Sequence, residues 1–274
     1  MKHSRFPAQK SVNSMKEKIP LSVAIIAKNE AQNLPACLES VRFADQIIVV
    51  DSGSTDGTAD IARNFGCKVY NEPWRGFGAQ KQFAIDQCTH SWVLLLDADE
   101  RVPAVTASVI MDIVDSESGE AAGYSFPRKN FFQGRWIRHL WGKDRVVRLF
   151  RKNRGWMTDA RVHEAVEVNG PVKALDVSLE HYTESSLSKL LVKMDHYTTL
   201  GAQEAFEEGK RAYVWTAVFL AFFAFLQSYF LKRGFLDGVQ GLTLSVAESV
   251  SKFIKYAKLS ELSRKGKNNP QDHP

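Results

Sequence analysis

Three stretches of this chain run from unbroken apolar residues straight into carboxylates: "LSVAIIAKNE" (21–30), "QIIVVDSGSTDGT" (46–58) and "WVLLLDADE" (92–100). Strands apolar on every residue are buried on both faces, as in a parallel sheet covered by helices on either side. Segments of helical spacing alternate with them. "NLPACLESVR" places Leu34, Cys37, Leu38 and Val41 on one stripe, "ADIARNFG" follows Thr58 as its expected cap, and after a short strand, "CKVYNEP", "GAQKQFAIDQCT" precedes the fourth strand, 92–96. The alternation predicts an α/β fold with a Rossmann-like, mainly parallel central sheet and flanking helices. In such sheets ligands bind beyond the carboxyl ends of the strands. Glu30, Asp51, Asp97 and Asp99 would all be delivered to that edge.

The "DADE" run is the most demanding of these ends. Asp97, Asp99 and Glu100 repel one another and are destabilised if buried unpaired, so a cation is expected beside them. Three readings of the aspartate pair follow. It is a solvated turn; or the nucleophile pair of a haloacid-dehalogenase-type phosphatase; or a site where a divalent cation bridges carboxylates to phosphates. Against the phosphatase, Arg101 stands where that motif carries Thr or Val, and the pair follows the fourth predicted strand. A dinucleotide oxidoreductase is disfavoured because "GFGAQK" (76–81) lacks the third glycine and does not join an apolar strand to a helix.

Taken in order and at this spacing, "VAIIAKNEAQNL", "IIVVDSGSTDGT" and "WVLLLDADE" resemble the nucleotide-binding half of family 2 glycosyltransferases, which have the GT-A fold. The match covers about residues 21–120. The second half, with "RLFRKN", "VHE", "EHY" and "GFLDGVQG", resembles a subgroup related to bacterial lipopolysaccharide-core glucosyltransferases. The resemblance implies an inverting transfer from a nucleotide-sugar donor, a UDP-sugar, to a lipid-linked or lipopolysaccharide-core acceptor. It implies that Ala27, Glu30 and Asp51 line the nucleoside pocket, that Asp97 faces the ribose or a metal-bound water, and that Asp99 holds Mn²⁺ or Mg²⁺ on the diphosphate. Lys81 falls where relatives carry a basic residue near the nucleotide; a solvated helix lysine is the plain alternative. His181 matches a late histidine that completes the metal shell, and imidazole suits Mn²⁺. Glu164 matches the general base that takes the acceptor proton, with Asp144 as its competitor. Arg145, Arg148, Arg151 and Arg154 face phosphates or an anionic acceptor, or else a solvated edge. A membrane-attached nucleotide-sugar-binding scaffold without turnover is the rival outside enzymes.

After residue 120 the strands become shorter and richer in aromatics and arginine, as mixed or antiparallel pairing requires, and 186–206 carries a helical stripe. The segment 212–231 has no charged residue and is bounded by Lys210–Arg211 and Lys232–Arg233. It is read first as an interfacial or re-entrant helix, then as a span, with a buried core helix as the remaining alternative. The formal charge of +5 belongs to the ends: +4 over 1–18, −5 over 19–208 and +6 over 209–274. An acidic middle argues against nucleic acid as a partner, and basic ends beside an apolar segment fit an anionic membrane surface. The expected organisation is a disordered basic arm (1–18), a GT-A domain (19–208) and a membrane-associating helical region with a basic tail (209–274). Cys37, Cys67 and Cys88 form neither a zinc spacing nor a disulfide framework, which points to a reducing compartment. Residues 1–18 lack the apolar core of a secretory signal. The expected location is the cytoplasmic face of the inner membrane, peripheral, monotopic or single-span.

Overall fold

The computed structural model describes residues 18–116, 120–142, 144–158, 164–183 and 186–267. The expected N-terminal arm, Lys18 aside, and the last residues of the tail lie outside them. The elements in chain order are β1 (Ile19–Ala27), α1 (Leu34–Ser40), β2 (Ala44–Asp51), α2 (Thr58–Asn64), β3 (Lys68–Asn71), α3 (Phe77–Asp86), β4 (Trp92–Asp97), β5 (Glu100–Arg101), α4 (Ala104–Asp115), β6 (Gly123–Phe132), β7 (Arg135–Trp136), β8 (Arg145–Arg151), β9 (Gly155–Met157), β10 (Val166–Val168), β11 (Val172–Ala174), β12 (Leu179–Tyr182), α5 (Leu187–Glu207), α6 (Val214–Leu226) and α7 (Gly238–Lys267).

The main sheet runs β3-β2-β1-β4-β8-β6-β12-β5. Its first four strands are parallel, as the unbroken apolar runs require. The second half is mixed: β8 is antiparallel to both β4 and β6, whereas β12 is parallel to β6 and antiparallel to β5. Alternate residues of each central strand feed two cores. Leu21, Val23 and Ile25 of β1 and Leu94 and Leu96 of β4 pack under α1 and α4. Ala24, Val93 and Leu95 pack under α3. Thr58 begins α2 rather than capping it, and its hydroxyl accepts the Glu30 amide at 2.8 Å. The three cysteines are buried free thiols.

The C-terminal helices form a further layer. α7 packs on α5 through Ala202, Ala205 and Leu259, and Lys258 Nζ reaches Asp195 Oδ1 at 2.7 Å. α5 therefore belongs as much to this layer as to the sheet. α6 turns its small residues, Ala217 and Ala224, inward and its large ones outward: Trp215, Phe219, Phe222 and Phe223 are all exposed. Val214–Leu231 is long and apolar enough to cross a membrane, with mean hydropathy 1.8 and 17% of it buried. That arrangement overturns the buried-core alternative for 212–231, because a core helix turns its large side chains inward.

A buried carboxylate helps to fasten this layer to the connection between β7 and β8. Asp237, in the turn between α6 and α7, is buried and accepts from the backbone N–H groups of Arg138, His139 and Leu140 and from His139 Nδ1, at 2.9–3.3 Å. Burial raises its pKa, but the Leu140, His139 and Arg138 donors outweigh this and hold it below the usual carboxylate value. Its folded pKa being depressed, its contribution is present above the unfolded value of about 4 and is lost as pH falls through the folded one. Asp237→Asn is expected to lower stability by roughly 2 kcal/mol at neutral pH and by less in acid, as read from urea unfolding midpoints across pH.

Candidate active site

The register of the parallel strands aligns their acidic ends. Ala27 of β1 lies opposite Asp51 of β2, and Ile26 lies opposite Asp97 of β4. Beyond these ends opens a cavity of about 590 Å³ whose lining includes Ala27, Glu30, Lys81, Asp97, Asp99, Glu164 and His181. Seven of the eight candidate residues thus share one cavity.

Asp51 is the exception. Its carboxylate is buried and accepts from the amides of Gly53 (3.1 Å) and Ser54 (2.9 Å) and from the Ser54 hydroxyl. It closes the "DSGS" turn at the end of β2, beside Ala27, and is not among the residues that line the cavity.

The cation awaited by "DADE" is, in the first instance, arginine. Glu100 is fully buried and meets Arg148 at 2.8 Å and Arg128 at 3.3 Å. Asp97 meets the same Arg148 nitrogen at 2.5 Å and Lys81 Nζ at 2.9 Å. Burial alone would raise the Asp97 pKa, but Arg148 and then Lys81 hold it far below the carboxylate range. Arg148 is correspondingly kept charged by Asp97 and Glu100 against the opposing effect of burial. None of these four arginines lines the main cavity, although Arg145 and Arg148 line an adjoining one together with Lys81, Asp97 and Glu164. Arg148 is a buried counter-ion, Arg151 lies over the Trp92 ring at 4.1 Å, and Arg145 donates to the carbonyls of Ser125 (2.8 Å) and Leu175 (3.0 Å).

Asp99 is held differently. The β12–β5 pairing puts His181 opposite Glu100, and the β12–β6 pairing puts it opposite Asn130. His181 Nε2 lies 3.3 Å from Asp99 Oδ2, and its Nδ1 lies 2.7 Å from Asn130 Oδ1. Asn130 Oδ1 is an acceptor, so Nδ1 carries a proton and Nε2 faces Asp99. Burial lowers the His181 pKa, but the hydrogen bond and charge of Asp99 outweigh it and raise it. Asp99 and His181 thus face each other at the cavity edge; a carboxylate and a neutral imidazole are ligand types that suit a divalent cation whose remaining ligands are phosphate and water oxygens. Among the described residues no three His, Cys, Asp or Glu side chains converge on one point. The protein side of any metal shell is therefore small.

The two candidate bases part company. Glu164 lines the main cavity, with Oε1 at 3.3 Å from Lys81 Nζ, so Lys81 bridges it to Asp97. Asp144 lines a separate cavity of about 420 Å³ and takes Arg128 at 2.8 Å and Asn130 at 3.0 Å. Sequence reasoning missed the aromatic wall. Trp74 packs edge-on to Phe77 at 4.7 Å, and Phe77 stacks with Tyr197 of α5 at 6.1 Å. Lys193 and His196 line the cavity from the same helix. Their spacing of three and four residues places Lys193, His196 and Tyr197 on one helical face, a signal present in "KMDHY".

Replacing Arg148 by Met leaves Glu100 and Asp97 buried without their principal counter-ion. Breaking a buried pair from one side typically costs about 3–5 kcal/mol. Arg148→Met should unfold at clearly lower urea concentration than wild type, whereas Arg151→Met should shift the midpoint by less than a third as much.

The model of glycosyl transferase family 2 matches residues 22–172, more than half of the chain. The lipopolysaccharide core biosynthesis glycosyltransferase LpsC of Rhizobium meliloti (strain 1021) is 32% identical over 250 residues, spanning 88% of this chain and 92% of the relative. An uncharacterized glycosyltransferase of Rickettsia typhi is 29% identical over 260 residues, 90% of this chain and 89% of the relative. Among solved structures, mannosyl-3-phosphoglycerate synthase from Rubrobacter xylanophilus overlays with TM-score 0.43 at 17% identity, over 70% of this chain and 75% of that one, too loosely to add weight. The ordered acidic strand ends, the GT-A-like α/β architecture and the extent of these matches together make the chain a member of glycosyltransferase family 2.

Proposed function

We propose that the protein is an inverting glycosyltransferase that moves a sugar from a nucleoside-diphosphate donor, a UDP-sugar, to a lipid-linked or lipopolysaccharide-core saccharide at the cytoplasmic face of the inner membrane. The observation that carries this reading is the meeting of Asp97, Asp99 and Glu164 on one cavity at the carboxyl ends of β1 and β4. Family membership removes the phosphatase alternative. Asp97 is in any case clamped between Arg148 and Lys81, a poor situation for an attacking carboxylate.

The chemistry follows from charge and position. Lys28, Lys81, Arg128 and Lys193 line the cavity together with Glu30, Asp97, Asp99 and Glu164, four cations against four carboxylates. A nucleoside diphosphate brings negative charge that this balanced lining does not offset. Asp99 and His181 would hold Mn²⁺ or Mg²⁺ against the diphosphate, where the ion neutralises the departing phosphate. Ala27 and Glu30 at the end of β1, with Trp74 and Phe77, form the wall for the nucleoside. Glu164 Oε takes the proton of the acceptor hydroxyl as that oxygen bonds to C1 of the sugar. The C1–O bond breaks on the opposite face and its electron pair leaves with the diphosphate, which inverts C1. Lys81, shared by Asp97 and Glu164, can pass from Glu164 to an arriving phosphate, leaving the carboxylate to act as base.

The kinship to a lipopolysaccharide-core enzyme supports the acceptor class. The outward aromatic face of α6 supports the membrane. Along α7, Val239, Leu242, Val246, Val250 and Phe253 recur at three- and four-residue spacing and are exposed as well. A contiguous apolar surface of this kind needs cover.

Glu164→Gln should leave at most about a hundredth of the transfer rate, since general-base contributions are typically ~10²–10⁴-fold, while UDP affinity stays within about twofold of wild type. Full activity of Glu164→Gln with a dead Asp144→Asn would move the base to Asp144. A wild type that binds UDP-sugar yet transfers to no lipid extract would favour the scaffold. Asp99→Asn should abolish the manganese dependence of UDP binding measured by calorimetry. An unchanged manganese response in that variant refutes the metal assignment. For the membrane, wild type should float with phosphatidylglycerol vesicles even in high salt. Trp215→Ser/Phe219→Ser/Phe223→Ser should remain at the bottom of the gradient, as each buried aromatic contributes about 1.5–3 kcal/mol. Flotation of both proteins alike removes α6 as the anchor.

A further inference from the structure

Beside the donor cavity a second one, about 780 Å³, opens between the β1–α1 loop, β5, the β6–β7 hairpin and the first turns of α5. The two share Lys28, Glu30, Asp99, Lys193 and His196. Their charge differs. Among the described residues that line the second cavity, Lys28, Arg101, Lys189 and Lys193 stand with two carboxylates, Glu30 and Asp99, while Glu180 beside it takes the Tyr182 hydroxyl at 2.9 Å. Asp99 is paired with His181, and Glu30 accepts the Asn33 amide at 2.8 Å. The lining is therefore cationic where that of the donor cavity is balanced.

Its floor is aromatic. The β6–β12 register sets Phe131 opposite Tyr182, and their rings stack at 4.8 Å and 7°. The Arg101 guanidinium lies 3.7 Å from the centre of the Tyr182 ring. Tyr182 is thus packed between Phe131 and Arg101, which holds the guanidinium in place, and a guanidinium fork so held receives a phosphate. The N-terminus of α5, with Ser186 accepting the Lys189 amide at 3.2 Å, adds the positive end of a 21-residue helix. The rim adjoins the apolar layer: Gly134 lines it, and the next residue, Arg135, meets Gln240 of α7 at 3.5 Å.

We propose that this cavity is the acceptor subsite and that it selects a saccharide bearing phosphate, presented from the side of the apolar helices. The proposal rests on the reading of the protein as a transferase to a lipid-linked saccharide. Lys189 and Arg101 line this cavity and not the donor cavity, so they test it separately. Three probes in detergent micelles are offered to the full-length protein: a truncated-core lipopolysaccharide carrying its phosphates, the same material dephosphorylated with aqueous hydrogen fluoride, and phosphatidylglycerol. UDP affinity with manganese is measured in parallel. The phosphorylated saccharide should bind wild type at least about tenfold more tightly than the other two, and Arg101→Gln should lose about tenfold. Lys189→Glu, on an exposed helical position where folding is not at stake, should lose as much, and UDP affinity should not move in either variant. Equal binding of the phosphorylated and dephosphorylated saccharides overturns the proposal while leaving the transferase reading intact. Equal binding of phosphatidylglycerol overturns it in favour of a lipid-headgroup site. Unaltered binding of the phosphorylated saccharide by both variants overturns the location. If wild type binds UDP but no saccharide, the acceptor class itself is wrong and both readings fall together.

Discussion

The contact of Arg148 with Glu100 and Asp97 makes the rest of this site possible. Three carboxylates within four residues at the end of a fully buried strand are unstable alone. The chain solves this with cations from distant segments: Arg148 from β8, Arg128 from β6 and Lys81 from α3. The solution is unequal. Glu100 is buried and fixed, and Asp97 is fixed at both oxygens. Asp99 is left facing the cavity with an imidazole as its counterpart. Two aspartates that look equivalent in sequence thereby separate into one that organises the strand end and one placed to meet a cation.

α5 carries that order outward. Phe77 of α3 stacks with Tyr197 on one face of the helix, while Ala202 and Ala205 on another pack under α7. The helix that closes the donor cavity is thus the helix on which the apolar layer rests. Asp237 makes a second tie, from the turn before α7 to the backbone of 138–140, and Leu140 lines the small cavity beside His181. Any surface that covers the outward aromatics of α6 therefore holds the cavities at a set distance and inclination from itself. For an acceptor anchored in a bilayer, that geometry replaces part of the orienting work that contacts with the saccharide would otherwise have to supply.

The parallel half of the sheet was legible because its signal is local. Unbroken runs such as "VAIIA" and "VLLL" leave a strand nowhere to be except between two helical layers. That Ala27, Glu30, Lys81, Asp97, Asp99, Glu164 and His181 would lie together at one cavity was legible through the ordered motifs of the resemblance. The fates of Asp51 and the arginines were not read, though part of the information was there. Asp51 is followed by "SGS", whose backbone amides satisfy a carboxylate locally, whereas Asp97 is followed by further acid. Arg148 stands at an irregularity of β8, where the pairing with β6 steps from Leu149 opposite Tyr124 to Val147 opposite Ser125 and leaves Arg148 without a partner in the register. Simple alternation along the strand therefore could not single it out from Arg145 and Arg151. Tyr197 and Arg128 lie beyond local reasoning, since their place depends on how helix and sheet pack.

If the two cavities take the ligands proposed for them, their charge balance explains how one protein keeps two anionic partners apart. A lining with four cations and four carboxylates repels nothing strongly and attracts nothing strongly. On the proposed function it would become a phosphate site together with a divalent ion, which would tie donor affinity to the metal. The neighbouring cavity, with four cations against two carboxylates, needs no such partner. An anionic saccharide entering there meets permanent charge, while a nucleoside diphosphate without its metal gains little from the donor side. Lys28 and Lys193 belong to both linings, so occupation of one cavity changes the field in the other. At separations within a Debye length of about 10 Å such fields are only partly screened. An anion in the second cavity draws on the positive charge of these lysines and so deepens the need for a divalent cation beside the diphosphate. Two adjoining cavities can thus both take phosphate without either substituting for the other, because only one of them needs the metal to do so.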